Sequence, residues 1–178
     1  MKTPYAFTLL LALLVSLPTL ALAQHDHGAM AVTGSLKGLH EITQTNIMKT
    51  AEMLDEKVYA YRPTDDVRTT GQILAHIANA QYFFCSSAAD EENPNKENFE
   101  EAATTKAAIV AALKGAFEYC GGVYTNMSDA AGAETKPFFG NEMAKSAILA
   151  FNSAHNYEHY GNLVTYMRLN GIVPPSSM

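Results

Sequence analysis

The chain has 178 residues, 48% of them hydrophobic, which is the size and composition of one folded domain around a single core. It carries 18 acidic and 12 basic residues, a net charge of −6, and no basic cluster. That balance lacks both the electrostatic footprint of a nucleic-acid binder and the polybasic patch of a membrane-surface protein.

In chain order, Lys2 precedes a long apolar run that ends in Ala21, Leu22 and Ala23, the small-x-small form of a signal-peptidase site. Residues 1–23 therefore read as a cleaved export signal. The competing reading is a membrane anchor, but Pro18 interrupts the run and no basic flank follows it. No cysteine follows the cleavage site to take a lipid, so no membrane association is expected after cleavage, and the location is periplasmic or secreted. Losing Lys2 takes the net charge to −7. Residues 24–34 are polar and glycine-containing and read as a flexible tail. Nothing near His25 and His27 fixes a geometry, so they read as part of that leader.

The bundle domain is expected over residues 35–178. A first helix follows Ser35, a candidate N-cap, with Leu36, Leu39, Ile42 or Thr43, Ile47, Ala51, Leu54 and Val58 at helical spacing. Pro63 ends it. A second helix starts near Arg68 or Thr69, its core stripe formed by Ile73, Leu74, Ile77, Ala80, Phe83 and Phe84. The charged segment 90–98, with Pro94 at its centre, is a solvated loop. A third helix covers Phe99 to Tyr119 and stops at Gly121 and Gly122. A long connection follows, and a fourth helix runs from Asn141, a candidate N-cap, to Gly171 ahead of Pro174 and Pro175. No strand alternation is visible, which makes the fold all-α, a four-helix bundle.

Two cysteines, Cys85 and Cys120, fall at the C-terminal ends of helices two and three. Antiparallel helices would hold them about 25 Å apart, whereas a disulfide needs Cα atoms within about 7 Å. Parallel helices would bring both ends together. The loop 90–98 extends to about 30 Å, so an up-down-down-up chain is allowed, and a Cys85–Cys120 disulfide is expected, with two buried thiols as the alternative.

A polar stripe on helix two, Gln72, His76 and Asn79, interrupts its apolar residues, and helix four carries another: Asn152, His155, His159 and Asn162. His155 and His159 stand at i and i+4, about 6 Å apart at Cβ on one helix face. If His76 faces them, three imidazoles converge as in an open divalent-metal site. Periodicity alone leaves open whether they do, and no glutamate follows His155 to make a zincin motif.

The phrase "GQILAHI" in helix two and "HNYEHYGNLVTYMRLNGIVPP" in helix four resemble the DinB-like superfamily of helical bundles. Gly71, Leu74, His76 and Ile77 match the first motif; His155, His159, Tyr166, Arg168, Gly171, Pro174 and Pro175 match the second. The resemblance implies up-down-down-up connectivity, and it implies His76, His155 and His159 as ligands of a divalent ion, zinc or nickel. Gln72, Asn79, Asn152 and Asn162 would then orient ligands or substrate.

Members of that superfamily include metal-dependent transferases that use small thiols and thiol-dependent isomerases. Those thiols are chiefly cytosolic, whereas this chain reads as exported. The expected function is therefore metal-assisted hydrolysis or group transfer on a small molecule. The alternative is a non-catalytic metal- or ligand-binding bundle. The absence of a C-x-x-C-H motif leaves no covalent haem attachment. A homodimer is compatible with the sequence, though no residue marks its face.

Overall fold

The computed structural model describes residues 31–178; the expected signal and most of the expected tail, with His25 and His27, lie outside the described residues. Four long helices carry the fold: α1 (Ala31–Met53), α3 (Thr70–Ala89), α5 (Lys106–Asn126) and α7 (Lys145–Leu169). Single-turn helices α2 (Glu56–Tyr59), α4 (Phe99–Ala102) and α6 (Asp129–Gly132) lie in the connections, with a hairpin of β1 (Thr135–Phe138) and β2 (Asn141–Ala144).

Helix α3 packs between α5 and α7, and α1 closes the other side against the same two helices. Cross-helix contacts fix the directions. Gly71 meets Ile109 at one end of α3 and α5 while Cys85 bonds Cys120 at the other, so these helices are parallel. Tyr166 donates to the Arg68 carbonyl at 3.1 Å, and Asn152 donates to Gln81 at 3.0 Å nearly four turns along, so α3 and α7 are antiparallel. Lys106 reaches the Leu54 carbonyl at 2.6 Å while His40 stacks on Tyr124, which makes α1 antiparallel to α5. The chain thus runs up-down-down-up.

Several boundaries differ from those expected. Helix α1 begins before Ser35, whose hydroxyl donates back to the Ala31 carbonyl at 2.6 Å. The N-terminal turn is held from a distance by Asp129, whose carboxylate accepts from the Val32 and Thr33 backbone N–H groups at 3.1 and 2.8 Å. No local pattern announces a cap supplied 96 residues away. Leu39 and Ile42 are exposed on α1, and Thr43 turns inward. The helix stops at Met53, because Asp55 caps the separate turn α2 through the Val58 N–H.

The expected third helix is broken. Asn98 caps α4, and Thr105 restarts the chain as N-cap of α5. Helix α5 then runs through Gly121 and Gly122. Each glycine costs about 1 kcal/mol against alanine, but Cys120 and Tyr124, both at 0% exposure, bury the flanking turns and carry the helix across. The expectation of no strands also fails. Phe139 and Gly140, with φ of 48° and 78°, form a two-residue turn between antiparallel strands. Asn141 is therefore in β2, and α7 starts at Lys145, with Ala144 at the cap position. Four-residue strands are too short to show alternation in sequence.

Candidate metal centre

The site is built where α3 and α7 cross. Thr69 begins α3 with a capping box: its hydroxyl accepts from the Gln72 N–H at 3.2 Å, and the Gln72 side chain accepts from the Thr69 N–H at 2.9 Å. About two turns after Thr69, His76 leaves α3 toward α7. His155 and His159 meet it from successive turns of α7, and the candidate ligand atoms of all three lie within 4.8 Å of one another. The Nε2 atoms do the converging. His155 Nε2 stands 3.1 Å from His76 Nε2 and 3.0 Å from His159 Nε2.

Behind His76 stands a group the sequence did not disclose. Glu100, in α4, accepts from His76 Nδ1 at 2.7 Å, and its other oxygen accepts from Arg68 Nε at 2.8 Å. Burial pushes the Glu100 carboxyl up, but hydrogen bonds from Arg68 and His76 outweigh it and hold the group below the usual carboxylate range. An ionised carboxylate only accepts, so His76 Nδ1 carries the proton. In the neutral ring that leaves a lone pair on Nε2, aimed at His155.

His155 is pushed down to about 3, first by burial and then by the neighbouring His159, His76 and Arg68 charges. His159 shifts the same way, again chiefly through burial. Neutral rings then face a conflict. His155 Nε2 has one in-plane position, a proton or a lone pair, and it is in contact with two nitrogens. It can donate to the lone pair of His76 or accept from His159, but it cannot satisfy both. Three lone pairs directed at one cation would remove that conflict, and neutral imidazole nitrogen is a good donor for zinc- and nickel-like ions. The residues present therefore fit the ion the sequence suggested.

The four expected orienting residues separate into different places. Gln72 and Asn162 line a cavity of about 620 Å³ with Arg68, Glu158, His159 and Tyr166, so both stand beside the centre. Asn79 acts one step removed: its oxygen accepts from the Phe99 N–H at 3.0 Å, and its amide donates to Asn98 at 2.8 Å. It thereby fixes the turn that carries Glu100. Asn152 faces away, into the interior. Its amide donates to Gln81 at 3.0 Å and Tyr124 at 3.3 Å and approaches both disulfide sulfurs at 3.4 and 3.7 Å. Cys85 and Cys120 are disulfide-bonded, with Cα atoms 5.3 Å apart.

Asn152 belongs to a polar network buried in the bundle. Gln81 accepts from Asn152, contacts His40 Nε2 at 3.2 Å and donates to Asn156 at 2.7 Å. Asn156 in turn contacts Thr43 at 3.4 Å. His40, Thr43, Gln81, Asn152 and Asn156 are all fully buried, so the network ties α1, α3 and α7 together behind the histidines. Helical spacing places Asn152 near His155, but a residue three positions earlier lies about 60° around the helix, enough to turn it inward.

The profile of the DinB superfamily matches residues 39–163, a span holding all three histidines. The chain belongs to the DinB superfamily. Two solved DinB-like structures resemble it. One from Bacillus cereus has a TM-score of 0.70 at 17% identity, covering 80% of this chain and 95% of that one. The other, from Bacillus subtilis, has a TM-score of 0.63 at 17% identity, covering 77% and 92%. At such identity these likenesses establish the shared fold. No curated protein matches the chain by sequence. Within this DinB fold, Gly71 of the helix-two motif has a physical reason: a Cβ there would lie 3.3 Å from Ile109 and Tyr59. Glu100 also lies in the matched span, but in a charged stretch of like residues with no spacing that would single it out.

Proposed function

We propose that this DinB protein is an exported, mononuclear metal-dependent enzyme whose ligands are His76, His155 and His159. The observation that carries the reading is the convergence of three Nε2 atoms that neutral rings cannot satisfy among themselves. A divalent ion, zinc or nickel, would supply Lewis-acid chemistry at that point, for hydrolysis or group transfer on a small molecule.

The protein's own groups have separable roles. Glu100 accepts a hydrogen bond from His76 Nδ1–H and fixes the ring, and Arg68 holds Glu100 in its ionised form. The cavity beside His159 offers Gln72, Asn162 and the Tyr166 hydroxyl as polar groups able to orient a substrate. Export is supported by the signal-like run ending at Ala23 and agrees with the Cys85–Cys120 disulfide, a bond typical of oxidising compartments. A closed, non-catalytic binding site is the competing reading, and no observation in the described residues favours it.

The test uses protein purified from the exported fraction without chelators or a histidine tag. Metal is measured by mass spectrometry in the wild type and in a His76→Ala, His155→Ala double variant, and ester and thiol-transfer probes are screened on the loaded protein. Near-stoichiometric metal in the wild type alone, with turnover that the double variant loses, is expected. Metal without turnover would support the binding protein, and no metal after reconstitution with zinc or nickel would sink both.

A further inference from the structure

Helices α3 and α7 are antiparallel, so residues after His76 on α3 and before His155 on α7 fall on the same side of the histidines. That side is aromatic. Phe83, Phe139 and Phe151 expose 43%, 60% and 44% of their surface. The Phe139 ring stands 5.8 Å from Phe83 and 6.0 Å from Phe151, bridging the two helices from the hairpin turn. Phe84 lies beneath them, 5.3 Å from Phe151, and its ring is 5.5 Å from His155. The layer is therefore continuous with the metal centre, and the polar cavity of Gln72, Asn162 and Tyr166 lies at the centre's other end.

Placing Phe139 there runs against local preference. Its φ of 48° is in the left-handed region, which bulky residues rarely enter and where asparagine is favoured before Gly140. A sequence shaped only for the turn would put a small polar residue at this position. A sequence shaped for solubility would not expose three phenylalanines in contact.

We propose that Phe83, Phe139 and Phe151 form a shelf that binds the apolar arm of the molecule handled at the three-histidine centre. The substrate class is then an amphiphile, a metal-binding polar group carrying an aryl or alkyl arm. This inference rests on the metal-centre reading above. Phe84, whose ring is in contact with that of His155, links the histidines to Phe151 and the rest of the shelf.

Two chelating probes differ only in the arm: acetohydroxamate, which has none, and 4-phenylbutyrohydroxamate. Their affinities for the zinc-loaded protein are compared by calorimetry in the wild type and in Phe139→Asn and Phe83→Ser. Both positions are exposed, and asparagine suits the turn, so the fold is kept. The aryl probe is expected to bind about tenfold or more tighter in the wild type. Each variant should remove most of that advantage, with the loss falling on the aryl probe. If acetohydroxamate binds and the aryl arm adds nothing, or its advantage survives both variants, the shelf is overturned and the metal centre stands. If zinc does not load, the metal centre fails and this inference fails with it; if zinc loads and neither probe binds, the centre is a closed binding site and the shelf proposal is overturned. Sedimentation of the same proteins covers another occupant: a wild-type dimer that Phe139→Asn dissociates would make the shelf a subunit interface and overturn the proposal.

Discussion

At the residue scale, Glu100 joins the centre to the rest of the fold, because both of its oxygens are committed, one to His76 and one to Arg68. Replacing it with glutamine keeps an acceptor but removes the charge that fixes the His76 tautomer. Glu100→Gln is expected to weaken zinc affinity about 10- to 100-fold in competition with a chromophoric chelator. An unchanged affinity would mean that His76 is oriented by packing alone. His40 makes a different statement. Burial lowers its pKa, and the Gln81 hydrogen bond and Glu41 oppose that shift only in part. The unfolded chain protonates this ring near pH 6.5, so below that pH it binds more protons than the native state. Stability from His40 is therefore fully present above about pH 6.5 and is lost as the pH falls toward the lowered native value. His155 and His159 shift in the same direction and add to the slope. In metal-free protein the urea midpoint should fall between pH 7.5 and 5, and His40→Phe should flatten that fall. An identical slope in the variant would contradict the assignment.

At the element scale, the first turn of α3 brings Gln72 to the cavity and sets the phase of His76. The Thr69–Gln72 capping box satisfies two otherwise unpaired groups there. Thr69→Ala should cost about 1 kcal/mol in urea unfolding; a change below a few tenths would show the cap to be redundant. This helix was legible in the sequence, because its stripe is continuous and its cap is local. The stripe does include one misplaced residue, since Phe83 turns out toward the shelf. The three histidines were legible as two facing stripes, but only resemblance brought them together. Where the sequence misled, the cause was at a distance. Asp129 caps α1 from across the chain, the buried Cys120 and Tyr124 carry α5 over two glycines, and a two-residue turn takes Asn141 into a strand. Glu100 was hidden because its place beside His76 depends on the turn α4, held at a distance by Asn79 through the Phe99 N–H and by Arg68.

For the whole molecule, the parallel pairing of α3 and α5 is the unusual feature, and the disulfide locks it. Cys85 and Cys120 are separated by 35 residues, so the bond removes loop entropy worth about 4 kcal/mol from the unfolded chain in the chain-entropy model. A Cys85→Ala, Cys120→Ala variant is expected to lose about 2–4 kcal/mol in urea unfolding, matched by reduction of the wild type. A loss under about 1 kcal/mol would show that the hydrophobic core alone sets the pairing. The polar network of His40, Gln81, Asn152 and Asn156 sits behind both the disulfide and the histidines. Bundle topology and site geometry are thus held by shared residues.

The most direct measurement is X-ray absorption at the metal edge of the reconstituted protein, compared with His155→Ala. A first shell of three imidazole nitrogens with one or more exchangeable solvent ligands, collapsing when His155 is removed, is the expected result. A shell without three imidazoles, or one unchanged by His155→Ala, would contradict the three-histidine centre.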